Sequence, residues 1–145
     1  YHGSSTGPGD AADVQVFSSQ EFSQLGNSVS PAGDINQDGV DDAVYASFGF
    51  SEDQANEGIV YVGLGSSSIS QLPIYWSATG NKADAYFGFC VSSAGDVNGD
   101  GLVDLAVGAP LYKMQENIVG RAFLFLGQAG GSILIPRVYL PLLNR

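Results

Sequence analysis

Two nine-residue stretches constrain this chain more than anything else in it. They are Asp34-Ile-Asn-Gln-Asp-Gly-Val-Asp-Asp42 and Asp96-Val-Asn-Gly-Asp-Gly-Leu-Val-Asp104. Each has side-chain oxygens at its first, third, fifth and ninth positions and a glycine at its sixth. A hard cation takes six to eight oxygens at about 2.3–2.6 Å, and side chains two residues apart on a tightly curled loop can all point inward. The first loop would offer Asp34, Asn36, Asp38, the carbonyl of Val40 and Asp42. The second would offer Asp96, Asn98, Asp100, the carbonyl of Leu102 and Asp104, with Gly101 allowing the sharp turn. Asp, Asn and Gly also favour plain polar turns, which one copy alone would not exclude. Two copies in register point to calcium. An EF-hand does not fit, because it needs a glutamate at its twelfth position and a helix on each side. The twelfth positions here are Tyr45 and Val107, and Ala43-Val-Tyr-Ala46 and Leu105-Ala-Val-Gly108 suit buried strands.

The 145 residues are the size of one domain with a real core, and 44% hydrophobic against 14% charged residues excludes a disordered chain. The net charge is −10, yet six of the fifteen acidic residues are loop positions one, five and nine, so two bound Ca²⁺ would bring it to −6. Lys82, Lys113, Arg121, Arg137 and Arg145 form no basic stripe, so nucleic acid is not an expected partner. Cys90 is the only cysteine, which excludes an internal disulfide and a thiolate cluster; its apolar surroundings, Phe87-Gly-Phe-Cys-Val91, predict a buried, inert thiol. His2, the only histidine, lies on a Gly/Ser-rich terminus and is expected to be solvated. Asp84, in the polar connection Asn81-Lys-Ala-Asp84, is expected to be solvated too. The chain begins at Tyr1 rather than methionine, so it is expected to be processed or a fragment. No apolar run approaches the roughly 20 residues of a membrane span.

In chain order, residues 1–12 read as a flexible leader and 13–145 as one domain of two tandem repeats, about 14–75 and 76–140, with an apolar C-terminal tail. Strands are predicted at Val14–Phe17, Ala43–Ser47, Gly58–Gly65 and Leu72–Trp76, with turns over Ser51–Glu57 and Ser66–Ser70. Pro73 marks the last as an edge strand, since proline cannot donate to a ladder. The unit then repeats. Gly26 matches Gly88, Val29 matches Val91, Gly58 matches Gly120, Tyr61 matches Phe123 and Gly65 matches Gly127, every pair at the same offset as Asp34 and Asp96. Ile133–Leu140, again with a proline, takes the place of Leu72–Trp76. Each unit is about four short antiparallel strands, the size of a propeller blade, and no segment has sustained helical periodicity.

The second copy reads Phe87-Gly88 before its loop and Gly108-Ala109-Pro110 after it. In that order it resembles the FG-GAP repeat of integrin α-subunit propellers, over roughly residues 14–140; the first copy is degenerate, with Leu25-Gly26 and Ala46-Ser47-Phe48 at the matching places. The resemblance implies one four-stranded blade per repeat, with calcium in the hairpin between its first two strands. Asp34, Asn36, Asp38, Val40 and Asp42 would ligate one ion, and Asp96, Asn98, Asp100, Leu102 and Asp104 the other. Propellers of this family usually have about seven blades. The fold expected here is all-β, two antiparallel blades plus an extra N-terminal strand, not a closed single-chain propeller.

Catalysis has little support: there is no nucleophile elbow, phosphate loop or zinc motif, and the carboxylates sit at cation spacing. Two readings remain. One is an extracellular calcium-binding structural module that self-assembles through strand exchange or blade stacking into a filament or ring. The other is a ligand-binding fragment of an integrin-like adhesion receptor. The expected partners are copies of the chain or neighbouring blades, and for the receptor reading an extracellular protein or glycan ligand. Both place the chain outside the cell or at its surface.

Overall fold

The computed structural model describes residues 12–66, 72–128 and 135–137, the last three through their backbone. Strands β1 (Leu25–Gly33), β2 (Asp42–Ser47), β3 (Ile59–Gly63) and β4 (Ile74–Thr79) form one antiparallel sheet in chain order. Next come β5 (Cys90–Gly95) and β6 (Asp104–Ala109), then a small hairpin of β7 (Lys113–Met114) and β8 (Asn117–Ile118), then β9 (Arg121–Leu126) and β10 (Ile135–Arg137). The second sheet runs β5-β6-β9-β10 and is likewise antiparallel. Among the described residues there is no helix, so no helix long and apolar enough to cross a membrane.

The offset between the two loops carries through to the hydrogen-bond ladders. Ala43 pairs with Gly63 and Tyr45 with Tyr61; at the matching places of the second repeat Leu105 pairs with Phe125 and Val107 with Phe123. Val29 opposes Tyr45 as Val91 opposes Val107. Pro136 lies in β10, an outermost strand, where its missing N–H faces no neighbour.

One core lies between the two sheets. Val44, Ala46, Val60, Val62 and Trp76 come from the first sheet, and Val91, Leu105, Val107 and Phe125 from the second. Trp76 meets Phe125 edge-on with centroids 5.0 Å apart. Phe87, 1% exposed, enters from the connection before β5 and packs edge-on against Phe123 at 5.1 Å. Burying a ring of this size contributes about 1.5–3 kcal/mol. Gly88 follows it at φ 84°, and a Cβ there would come within 2.8 Å of the Ala46 Cβ. The Phe-Gly pair is therefore the seam between the sheets. The strands β1 and β5 are also stitched by Val91 N–H donating to Ser28 Oγ at 2.9 Å.

Four expectations are corrected. Val14–Phe17 is not a strand. Val16 and Phe17 instead line a hollow with Tyr45, Tyr61 and Ile74 on the outer face of the first sheet, packing through side chains where no sheet edge offers a ladder. The strand expected at Leu72–Trp76 is Ile74–Thr79, because a bulge between Val62 and Gly63 shifts the pairing and Thr79 reaches Ile59. Cys90 is exposed: Val91 takes the inward position, and strand alternation turns Cys90 to the outer face of the second sheet. Asp84 is half-buried, and it accepts the Asn56 side-chain amide at 2.9 Å while its own N–H donates to the Ala55 carbonyl at 2.7 Å. Nearly all of the leader, His2, most of the turn after Gly65, and the C-terminal tail apart from 135–137 lie outside the described residues.

Candidate metal centres

The two acidic loops join β1 to β2 and β5 to β6, each closing a hairpin. Their internal bonding is nearly identical. In the first, Asp34 Oδ1 accepts the N–H of Asp38 at 2.9 Å and Oδ2 that of Gly39 at 2.8 Å. Asn36 Oδ1 accepts the same Asp38 N–H at 3.0 Å, and Asp38 Oδ1 accepts the N–H of Val40 at 2.9 Å. In the second, Asp96 Oδ1 accepts Gly99 and Asp100 N–H at 2.7 and 3.0 Å, and Oδ2 accepts Gly101 at 2.8 Å. Asn98 Oδ1 takes Asp100 N–H at 3.1 Å, and Asp100 Oδ1 takes Leu102 N–H at 2.9 Å. One amide shared by the first and third side chains draws their oxygens to a common point. The third amide then donates to the fifth carboxylate, at 2.9 Å in the first loop and 2.8 Å in the second.

The ninth aspartates behave differently. Asp42 and Asp104 are buried, 4% and 0% exposed. Asp42 accepts Ile35 N–H at 2.9 Å on one oxygen and Gly65 N–H at 2.8 Å on the other. Asp104 accepts Val97 and Gly127 N–H, both at 2.8 Å. Each thus clamps the start of its loop to the chain just past the third strand of its sheet. Gly65 and Gly127 make that approach possible. A Cβ on Gly65 would overlap the Asp41 carbonyl oxygen, and one on Gly127 would sit 2.7 Å from Val103 O. The matched glycines at 65 and 127 signalled this in the sequence; their partners did not.

Backbone conformation explains the loop glycines. Gly39 and Gly101 have φ of 88° and 84°, with open space where a Cβ would stand, so glycine serves the left-handed turn alone. The fourth position is also left-handed, Gln37 at 61° and Gly99 at 78°, which only the glycine of the second copy hinted at.

Electrostatics separate the positions. Burial pushes the Asp42 carboxyl above its ordinary value; the Gly65 and Ile35 amides oppose this, and the nearby Asp38 and Asp34 charges add to it. Asp96 lies below its ordinary value, first through the Gly101 amide and then those of Gly99, Asp100 and Asn98.

Among the described residues no three acidic, histidine or cysteine side chains are drawn together as a finished cage. What each loop gathers is a mixed oxygen set of carboxylates, one amide oxygen and a carbonyl position. A carboxylate oxygen has more lone-pair capacity than one backbone amide uses. An all-oxygen donor set with no cation beside it fits Ca²⁺.

Sequence comparison gives the same direction. An FG-GAP repeat model matches residues 91–125. Integrin alpha-V of Gallus gallus is 34% identical over 123 residues, 80% of this chain and 11% of that protein. Integrin alpha-4 of Xenopus laevis is 38% identical over 90 residues, 61% of this chain and 8% of that protein. Integrin alpha-3 of Mus musculus is 29% identical over 133 residues, 89% and 12% of the two lengths. The chain spans about a tenth of the length of these relatives.

Proposed function

Since this is an FG-GAP repeat protein, we propose that it is a calcium-braced section of an integrin α-like propeller, non-enzymatic and extracellular, whose two sheets are consecutive blades. The blades correspond to about residues 14–75 and 76–140.

The observation that carries the reading is that the two sheets use opposite faces to meet. The first sheet contributes Val44, Ala46 and Val60, all 0% exposed. Their counterparts in the second repeat, Ala106, Gly108 and Ala122, face away from the core and line a shallow apolar hollow. The second sheet contributes Leu105, Val107 and Phe125 instead. Two-fold packing would use the same face twice. Packing through unlike faces leaves each sheet able to meet another on its far side, as blades in a ring do. The Tyr45 and Tyr61 face of the first sheet and the Ala106 and Gly108 face of the second are then surfaces for neighbouring repeats.

In this reading Asp34, Asn36, Asp38, Asp42 and the Val40 carbonyl hold one Ca²⁺, and Asp96, Asn98, Asp100, Asp104 and the Leu102 carbonyl hold the other. The ion supplies positive charge that lets the loop carboxylates sit together. Asp42 and Asp104, already fixed by two amides each, hold the loop ends in place before any ion arrives. Calorimetric titration tests this directly. Two calcium equivalents are expected, with Asp38→Ala and Asp100→Ala each removing one; no uptake by the parent chain refutes the reading.

The same unlike faces favour a second reading, head-to-tail association of separate copies, with the far face of one chain's first sheet on the hollow of another's second. Light scattering at high concentration in calcium checks it, and a monodisperse monomer excludes it.

A further inference from the structure

The connection between β2 and β3 and that between β6 and β9 occupy matching places in the repeat but are built differently. In the first, Glu57 is 1% exposed and its Oε1 accepts the N–H groups of Glu52, Asp53 and Gln54 at 3.0, 3.0 and 3.3 Å. That loop is closed on itself. The matching position of the second repeat is Val119, and the second connection extends as the β7–β8 hairpin. Met114, Ile118 and Val119 on it are 51%, 58% and 54% exposed. Beside them lies an open groove of about 530 Å³ that includes Tyr112, Lys113, Met114, Val119 and Arg121.

Arg121 is held in this groove by stacking, its guanidinium carbon 4.0 Å from the centre of the Tyr112 ring. Stacking orients a guanidinium yet leaves its N–H edge open to a carboxylate fork. Among the described residues neither Arg121 nor Lys113 is paired with a carboxylate, although the chain has fifteen acidic and five basic residues. Two of those five basic residues share one groove, at the ends of β6 and β9 away from the metal loops.

We propose that the β7–β8 groove is a docking site for an acidic peptide segment of a partner protein, one carboxylate meeting Arg121 and Lys113 and an adjacent apolar side chain resting on Met114 and Val119. Charge complementarity selects the carboxylate on a surface otherwise acidic. The exposed apolar rim selects a peptide over a sulfated polysaccharide, which would need a longer row of cations and gain nothing from Met114, Ile118 and Val119.

The probe is a fluorescein-labelled peptide, Leu-Glu-Asp-Phe with blocked ends, titrated into the full chain in calcium and followed by anisotropy. Saturable binding that weakens as salt is raised is expected. Arg121→Gln should lower affinity by about tenfold or more, and Lys113→Gln and Met114→Ser by less. Lys113 and Met114 lie outside the core, so these variants report on the groove even if Arg121→Gln disturbs folding. Equal binding of the uncharged peptide Leu-Gln-Asn-Phe overturns the proposal. So do absence of binding, affinity indifferent to all three substitutions, and binding of heparin without binding of the peptide.

Discussion

Asp104 Oδ1 accepts the N–H of Gly127 at 2.8 Å, so the last residue of a metal loop is fastened to the chain beyond β9. The loop's end is therefore part of the sheet, and its middle is not. The exposed Asp100 and the buried Asp104, chemically alike, have different duties.

Without calcium, Asp104→Ala should be the costlier of the two. It strands the N–H groups of Val97 and Gly127, at about 1–3 kcal/mol for each buried group left unsatisfied. Asp100→Ala, on an exposed loop, should change stability by about 0.5 kcal/mol or less. In saturating calcium Asp100→Ala should lose the ion's contribution as well, about 2.7 kcal/mol at 100 times Kd. Urea denaturation in chelator and in calcium checks both halves, with the exposed Glu116→Ala as control.

Glycine-to-alanine substitutions should separate two kinds of strain. At Gly101 there is room but a left-handed φ of 84°, so Gly101→Ala should cost about 1–2 kcal/mol and weaken calcium binding at that loop. At Gly127 the added methyl meets Leu102 Cβ and Val103 O at 2.7 Å, an overpacking cost of about 1–3 kcal/mol that should persist with or without the ion. Melting curves across a calcium series distinguish them.

Acid should affect the two loops with opposite sign in the calcium-free protein. Asp96 has a lowered folded-state pKa, so its contribution is complete above the unfolded value of about 3.9 and is lost as pH falls through the folded value. Asp42 has a raised one, so its ionised form penalises folding above the folded value, and acid relieves that penalty as pH falls toward the unfolded value. Asp96→Asn should flatten the acid loss, and Asp42→Asn should steepen it. Stability measured from pH 2 to 7 in chelator gives the result.

Tyr45 is 5% exposed, and its hydroxyl has no hydrogen-bond partner among the described residues. The ring stacks on Tyr61 at 5.4 Å, a contact phenylalanine would keep. Tyr45→Phe should therefore stabilise the chain, by about 1 kcal/mol, in urea denaturation.

Much of the fold was legible because the side chains that define it are repeated. Paired glycines and aligned apolar triplets fixed the strand sets, and Asp-x-Asn-x-Asp-Gly located both loops. What escaped depends on partners distant in sequence. The clamps from Asp42 to Gly65 and Asp104 to Gly127 span 23 residues each, and no local spacing announces them. Asp84 looked solvated because its neighbours are polar, yet Asn56 from the previous connection holds it. Val14–Phe17 has strand composition, but a strand exists only where another offers its edge, and these residues lie across a face instead. Whether a residue in β5 points in or out turned on a one-residue choice of strand phase, which put Cys90 outside.

The unlike faces of the two sheets have a consequence for how such a chain can lengthen. Because the ladder register recurs from one repeat to the next, a window one repeat long contains one whole set of strands wherever its boundaries are drawn. A tandem duplication of that window would present to its predecessor the face its predecessor already accepts, and to its successor the face that successor already fits. Growth by duplication needs no new contact surface to evolve, only tolerance of one more step in the rotation from sheet to sheet.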